Sequence, residues 1–351
     1  MKNTRELLTE HYKKYPKLEL RDFFKFIHQS SFGCEHWVSS LDTAQDYIKE
    51  EYKTISSDAL PLIEHLDGNY SRVHLSYLKK GLSEETLGKL FYLSSRKEEN
   101  GKEELLKKLD VLKELIYEKE LPFDMDEFKS AVSMWSKNEY QAVHHSDTFR
   151  AEYKPAYRIV ANEYIPYLPL FINIDKMLKE GQVNMAIEGG SASGKTTLSK
   201  LLSEIYDCNI FHADDFFLRP EQRIPERFKE VGGNLDRERL LSEVLEPLSN
   251  GENICYRRFD CKTLTICEPV TYAPKRFNII EGAYSMHPEL KSFYNFSVFL
   301  EVSSDLQIKR INKRNTPDMA ERFFNEWIPL ENIYFKETKI KEKCDLCIRI
   351  Q

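Results

Sequence analysis

Residues 189–196 combine glycines, a lysine and a threonine at the spacing of a phosphate-binding loop. The stretch Gly189-Gly-Ser-Ala-Ser-Gly194-Lys195-Thr196 matches G-x-x-x-x-G-K-[ST] in full. In such a loop, successive backbone N–H groups surround phosphate oxygens. The lysine reaches the β- and γ-phosphates, and the threonine hydroxyl is a ligand for Mg²⁺. The predicted nucleotide-binding residues are Gly189, Gly190, Ser191, Ala192, Ser193, Gly194, Lys195, Thr196 and Thr197.

The elements on either side of this loop decide between a nucleotide site and an ordinary glycine-rich turn. The apolar run VNMAIEGG (183–190) predicts a buried strand before the loop, and TTLSKLLSEIY predicts an amphipathic helix after it. A plain turn between strand and helix remains the alternative interpretation. The Lys-Thr pair between these flanks favours the nucleotide, and we expect ATP with Mg²⁺ as the cofactors.

Acidic residues follow two further predicted strands. Asp214 and Asp215 end CNIFHADD, and Glu281 ends FNIIE. In an open α/β sheet, ligands bind outside the carboxyl ends of the strands, so these acids are expected near the loop. Arg310 and Arg314 recur on one face of a later predicted helix. A helix cap, a strand-end carboxylate and a solvated basic face are the structural alternatives.

The parts fit a kinase better than a GTPase. NKRN (312–315) lacks the aspartate of a guanine-reading N-K-x-D, and the strand that carries Glu281 ends in Glu-Gly, not in D-x-x-G. A small-molecule kinase needs an acid for the substrate hydroxyl, an acid near the metal and cations over the phosphoryl group. All three kinds of residue are present.

The chain resembles the uridine kinase and phosphoribulokinase group of P-loop kinases. The resemblance rests on four stretches in this order: GGSASGKTTLS, HADDFF, IIEGAY and the basic IKRINKR, which a polar stretch follows. Nicotinamide riboside kinases carry a similar Asp-Asp-Phe-Phe. The resemblance covers about residues 183–350. It implies a parallel sheet flanked by helices and transfer of the γ-phosphoryl group of ATP to a hydroxyl, with a nucleoside such as uridine as the favoured acceptor.

The resemblance also implies roles for individual residues. Asp214 becomes the general base. Lys195, Arg310 and Arg314 become the catalytic cations that contact the phosphates. Thr196, Asp214 and Glu281 become the metal-site residues. The residues implied to bind the substrate are Asp215, Asp236, Arg258, Phe259 and Glu281.

One stretch departs from the uridine kinase pattern. A tyrosine, followed a few residues on by a histidine, helps those enzymes hold the pyrimidine, and here RRFDCKTLT (257–265) has Phe259 and Leu264 instead. Arg257 and Arg258 could meet an acidic or phosphorylated substrate. The acceptor could therefore be a nucleoside, another riboside or a different small alcohol.

The chain before the kinase-like half is predicted to be an all-α domain, residues 1–165, followed by the P-loop kinase domain, residues 166–351. Apolar residues recur at helical spacing in this first part, and no strand-like alternation interrupts them. Arg150, Tyr153, Tyr157 and Arg158 fall on one helical stripe. His28 and His36, with Cys34 and Glu35, suggest metal ligation, but their spacing matches no zinc pattern, and ordinary histidines explain it as well.

Composition limits the remaining possibilities. The formal net charge of −6 gives no electrostatic basis for a nucleic-acid binder, and the apolar stretch YIPYLPLFINI (164–174) is too short to span a bilayer. We expect a cytoplasmic enzyme whose partners are ATP and a small-molecule acceptor, with homo-oligomerisation left open. The alternative function is a nucleotide-dependent regulator that controls what the first domain binds.

Overall fold

The computed structural model describes residues 3–34, 38, 40–53, 55, 62–96, 101–260 and 263–350. The chain forms two compact units, residues 1–175 and 176–351. The division between them falls within a helix, somewhat after the boundary that the sequence predicted at residue 165.

The first unit is mainly helical. Several of its helices begin at a polar residue whose side chain accepts a backbone N–H, including Ser40, Ser83, Asp124 and Ser146. The helices are α1 Thr4–Lys14, α2 Leu20–Phe32, α3 Leu41–Tyr52, α4 Glu84–Ser94, α5 Gly101–Tyr117, α6 Met125–Lys137, α7 Asp147–Tyr153 and α8 Leu168–Glu180.

A three-stranded antiparallel sheet in the first unit corrects the expectation of a purely helical domain. Its strands, in the order β1-β2-β3, are β1 Ile63–His65, β2 Tyr70–His74 and β3 Tyr157–Ala161. All five residues of β2 are buried, so neither face of this strand is exposed and no alternation of apolar and polar residues marks it in the sequence.

The predicted helical stripe of arginines and tyrosines is divided between two elements. Arg150 and Tyr153 lie on α7, whereas Tyr157 and Arg158 lie on β3. Lys154 separates them in a left-handed conformation with φ 42°, which ends the helix. The stripe is therefore not one helix face.

A buried hydrogen-bonded group ties α2 to β3 and to the start of α7. Asp22 accepts from His145 Nδ1 at 2.8 Å and from the Ser146 hydroxyl at 2.6 Å. Because a carboxylate only accepts, His145 Nδ1 carries the hydrogen, and the Tyr157 hydroxyl donates to Nε2 at 2.6 Å. Burial lowers the pKa of His145 to about 4, against the opposing effect of the Asp22 hydrogen bond. Hydrogen bonds from His145 and Ser146 outweigh burial and lower the pKa of Asp22 to about 2.

The second unit is an α/β domain with a five-stranded parallel sheet, which confirms the predicted fold class. The strand order is β10-β9-β4-β8-β5. The strands are β4 Val183–Gly189, β5 Cys208–His212, β8 Phe277–Glu281, β9 Phe296–Val302 and β10 Leu346–Ile350, and an antiparallel hairpin between β5 and β8 consists of β6 Ile254–Asp260 and β7 Thr265–Tyr272.

Helices accompany this sheet, and a buried apolar cluster that includes Phe211, Phe216 and Tyr256 packs beside it. Turns of π-helix join α11 to α12 and α14 to α15 in the following series. The helices are α9 Lys195–Ile205, α10 Pro225–Lys229, α11 Arg237–Leu240, α12 Glu246–Asn250, α13 Ser304–Arg314, α14 Pro317–Arg322, α15 Ile328–Thr338 and α16 Ile340–Lys343. In the described ranges of the chain, no helix has both the length and the apolar character that crossing a membrane requires.

The neutral state of His145 predicts an acid-sensitive first unit. Below pH 6.5 the unfolded histidine binds a proton, while the folded one stays neutral until about pH 4, so the free energy of unfolding falls as the pH falls through this window. The loss is up to about 3 kcal/mol. In His145→Gln this contribution is absent. Calorimetry from pH 7 to 4.5 should show that the wild type loses stability more steeply than His145→Gln. Parallel stability profiles of the two proteins would contradict a neutral His145.

Candidate active site

The phosphate loop connects the buried strand β4 to the helix α9, as the sequence predicted. Gly189, the last residue of β4, has φ 148°, and a Cβ atom placed on it would lie 2.6 Å from the carbonyl oxygen of Leu300 on the neighbouring strand. Gly194 is the N-cap residue of α9 and has no side chain that could accept from the first N–H groups of the helix. Those N–H groups point toward the loop, which makes it an anion-binding cradle.

The Lys195 ammonium lies beside this cradle. It donates to the carbonyl oxygens of Gly189 at 2.8 Å and of Gly190 at 3.0 Å. Arg310 of α13 approaches from another direction and donates to the carbonyl oxygens of Ala192 at 3.0 Å and Ser193 at 3.3 Å. Two cations therefore flank the loop.

Arg314 lies elsewhere. Its guanidinium is 5.3 Å from the centre of the Phe323 ring, one turn beyond Arg310 on α13. The structure thus places Arg310 at the phosphate loop and Arg314 against an aromatic side chain.

Glu281, at the end of β8, joins the loop to β5. Its Oε1 accepts from the Thr196 hydroxyl at 2.9 Å and from His212 Nδ1 at 2.6 Å. The hydrogen bond to Glu281 raises the pKa of His212, with the charges of Asp215 and Asp214 adding to the effect. The imidazolium form is therefore favoured between these acids.

Asp214 follows β5 in a 3₁₀ turn, Ala213–Phe216. Gly282 permits the close approach of this turn to β8, because a Cβ atom on Gly282 would lie 2.5 Å from that of Ala213. Asp214 is exposed to solvent, although protein atoms surround its carboxyl group. Desolvation by these atoms raises its pKa, with the charge of Glu281 adding to the effect and the Lys195 charge opposing it. Lys195, Glu281 and Asp214 therefore interact as one electrostatic cluster.

Asp215 points into a second polar group, which is built on the β6–β7 hairpin. The Tyr256 hydroxyl donates to Asp215 Oδ2 at 3.1 Å, and Arg258 Nε lies 3.6 Å from the same oxygen. Arg258 sits at the bulge of the hairpin and also donates to the Tyr272 hydroxyl at 3.1 Å. The sequence pointed to Arg258 and Asp215 but missed Tyr256 and Tyr272. The available signal was their place in the two strands of the hairpin, where alternate residues share a face.

Phe259 and Asp236 are both buried. The guanidinium of Arg223 lies over the Phe259 ring at 5.6 Å. Asp236 caps α11 by accepting from the backbone N–H of Arg239 at 3.3 Å. Its other oxygen, Oδ2, is 3.5 Å from Arg219 Nε and has no hydrogen-bond partner among the described residues. That oxygen retains the capacity to accept a hydrogen bond.

A cavity of about 540 Å³ opens beside Gly190 of the loop. Gln307 and Glu331 supply polar groups at its edge. The rest of its wall comes mainly from β9, α13 and α15 and is mixed. Apolar side chains such as Phe299, Ile308 and Phe335 alternate with charged ones such as Glu301 and Lys336.

The chain is similar in sequence to uridine kinases over less than half of its length. It is 26% identical over 180 residues to the uridine kinase of Anoxybacillus flavithermus, covering 46% of this chain and 84% of that protein. With the uridine kinase of Oceanobacillus iheyensis the identity is 28% over 156 residues, covering 42% of this chain and 72% of that protein. The carboxy-terminal half of the chain resembles the uridine kinase group of P-loop kinases. No family model matches the chain.

Solved structures also match about half of the chain. A protein of Bacillus stearothermophilus described as a possible uridine kinase matches with a TM-score of 0.39 and 23% identity, covering 51% of this chain and 99% of its own. Shikimate kinase from Acinetobacter baumannii matches with a TM-score of 0.29 and 17% identity, covering 48% of this chain and 84% of its own. The amino-terminal part of the chain is not covered by these similarities.

Two buried glutamates that the sequence analysis missed support the loop of this uridine kinase-like half. Glu188 accepts from the backbone N–H groups of Gly189 at 2.9 Å and Met286 at 3.0 Å, and burial raises its pKa to about 7. Glu331 of α15 accepts from the Ser191 N–H at 2.8 Å and hydroxyl at 2.6 Å. The sequence offered one signal for Glu188, namely that it is a charged residue inside the apolar run VNMAIEGG. No feature of the sequence around Glu331 points to the loop.

The histidines that suggested a metal site in the first unit gain no support. Glu35 and His36 lie outside the described residues. Within the part of the chain that the structure describes, no group of three or more His, Cys, Asp or Glu side chains could hold a metal ion.

The conformation of Gly189 yields a direct test of the loop. In Gly189→Ala the added methyl group meets the Leu300 carbonyl and the residue takes an unfavourable φ, so the loop must shift, at a cost of about 1–3 kcal/mol. We expect nucleotide binding to weaken at least tenfold in titration calorimetry. The matched control is Gly181→Ala, where a Cβ atom meets nothing within 4 Å. Equal nucleotide affinity in the two variants would contradict this account of the loop.

Proposed function

We propose that the second unit is an ATP-dependent kinase that transfers the γ-phosphoryl group to a hydroxyl of a small molecule, with a nucleoside such as uridine as the favoured acceptor. The observation that carries this proposal is the cluster in which Glu281 receives hydrogen bonds from Thr196 and His212 while its charge acts on Asp214. A phosphate loop and a carboxylate suited to take a proton thus share one site.

The residues at the loop fit ATP and Mg²⁺. The Thr196 hydroxyl and Glu281 are hard oxygen donors 2.9 Å apart, and Asp214 is close enough for its pKa to be raised by Glu281. Mg²⁺ is held by one or two carboxylates together with phosphate oxygens and water, so no larger cage of protein ligands is needed. When bound, it neutralises charge on the phosphates. The cavity beside Gly190 is large enough for the base of the nucleotide, and Phe299 and Phe335 give part of its wall an apolar surface.

Asp214 is the group we assign to the acceptor hydroxyl. Its raised pKa makes it a stronger base than an ordinary carboxylate, and the residue is exposed to solvent. Lys195 and Arg310 contact the loop from two sides, where their charges can stabilise the phosphoryl group during transfer. We assign Arg314 no contact with the phosphates.

The acceptor is proposed to lie between the 3₁₀ turn after β5 and the β6–β7 hairpin. There Asp215 and Asp236 can accept hydrogen bonds from a polar molecule, and Arg258 can donate them. The sequence relatives named uridine kinase favour a nucleoside. Phe259 and Leu264, which replace the tyrosine and histidine of those enzymes, leave other ribosides and small alcohols as competing acceptors.

Asp214→Asn separates chemistry from nucleotide binding. The amide cannot take the hydroxyl proton, so turnover should fall at least about 100-fold. ATP affinity, measured by titration calorimetry, should change little. Asp207→Asn is the matched control, because Asp207 is an exposed aspartate paired with Lys275. Near wild-type turnover in Asp214→Asn would mean that this residue is not the base.

ADP release across a panel of nucleosides and other small alcohols tests the proposal as a whole. Release stimulated by one acceptor class supports the kinase. ATP binding with no acceptor-stimulated turnover, together with altered affinity for a protein partner, would instead support the nucleotide-dependent regulator.

A further inference from the structure

The first unit contains a cavity that the kinase proposal does not use. Its volume is about 970 Å³, within the range of sites for small organic ligands and far larger than an inorganic ion requires. The walls come from α2, α3, the segment 142–145 and residues 150–159. Aromatic side chains such as Tyr47, Phe91 and Tyr157 supply part of the lining, which suits the organic portion of a ligand.

The charge of this lining is predominantly positive. Among the described residues of the lining, four carry a cationic side chain and two, Glu50 and Glu51, carry a carboxylate. Glu51 already pairs with Arg158 at 2.7 Å, and Glu50 pairs with Lys53 outside the cavity at 2.6 Å. The cationic side chains of the lining are Lys25, Arg150, Lys154 and Arg158.

Two of these cations have no carboxylate partner within ion-pair distance among the described residues, namely Lys25 and Lys154. The Lys25 ammonium donates to the Val143 carbonyl at 3.1 Å. Burial lowers its pKa to about 8, and the nearby charges of Arg72 and Arg150 act in the same direction. Cys34 and Asp22 act in the opposite direction, so burial is the main cause of the lowered pKa.

Lys154 stands at a position that glycine would normally occupy. Its φ of 42° is left-handed, and its N–H closes the end of α7 by donating to the Arg150 carbonyl. A residue with a Cβ atom costs about 1–2 kcal/mol in this conformation. The chain therefore keeps a lysine at this position of the cavity lining at some expense in local backbone energy.

We propose that this cavity is a binding site for a small organic phosphate, such as a sugar phosphate or a nucleoside monophosphate. A phosphate monoester carries close to two negative charges at neutral pH, which matches the two lysines that lack a carboxylate partner. Arg150, whose guanidinium is half-exposed and donates to the His145 carbonyl, provides a further cation at the wall. The site stands independently of the kinase activity proposed for the second unit.

Titration calorimetry on the full chain, without ATP, tests the site. The probes are ribose 5-phosphate and uridine 5′-monophosphate, compared with uridine, inorganic phosphate and succinate. The decisive variant is Lys154→Gly, which removes the charge and also relieves the left-handed backbone, so the fold is not put at risk. Lys119→Gly is the matched control, since Lys119 is an exposed lysine with φ 61° at the end of α5 that does not line the cavity. Lys154→Arg restores the charge.

We expect one organic phosphate to bind at least about tenfold more weakly to Lys154→Gly than to the wild type. Lys119→Gly and Lys154→Arg should retain the wild-type affinity. Equal affinity of all variants for both organic phosphates would overturn the proposal. If inorganic phosphate bound as tightly as the organic phosphates, the cavity would be a site for the ion alone. If succinate bound as tightly as they do, it would be a carboxylate site. Either result contradicts the proposal.

Discussion

The phosphate loop of the second unit is held by three buried carboxylates, and the rest of the site depends on that arrangement. Glu188 accepts the N–H of the first loop residue, Glu331 accepts from Ser191, and Glu281 accepts the Thr196 hydroxyl. Buried carboxylates are costly unless they are hydrogen-bonded. Each of the three acids has at least one donor in the loop, and Met286 and His212 supply further donors, so satisfying the acids also fixes the loop.

This arrangement has an electrostatic consequence for the neighbouring side chains. Burial raises the pKa of Glu188 to about 7 and raises that of Glu331, and the acids around Asp214 help to raise its pKa. Lys195 and Arg310 supply the nearby positive charge, and the hydrogen bond to Glu281 raises the pKa of His212. These features fit the ATP and the divalent cation that we propose for the site, because together they would satisfy the cradle and the acids at once.

The sequence predicted the parts of the site that follow from local rules. A strand, a glycine-rich loop and a helix placed Lys195 and Thr196, and the strand ends placed Asp214 and Glu281 at one edge of the sheet. Glu331 could not be found in this way, because it reaches the loop from a helix about 140 residues later in the chain. The sheet of the first unit was missed because β2 is buried on both faces and carries Arg72 and His74, so its pattern resembles neither an alternating strand nor an apolar one.

The two units pose different chemical questions. The second has a phosphate loop whose neighbours suit phosphoryl transfer, whereas the first has a positively charged cavity formed by elements that no sequence relative covers. The central claim is that the second unit moves a phosphoryl group from ATP to a small alcohol. The most direct measurement is mass spectrometry of the products after incubation with uridine and ATP labelled with oxygen-18 in its γ-phosphoryl group. The account predicts a uridine monophosphate that carries the label. Label found only in inorganic phosphate, with the uridine unchanged, would contradict it.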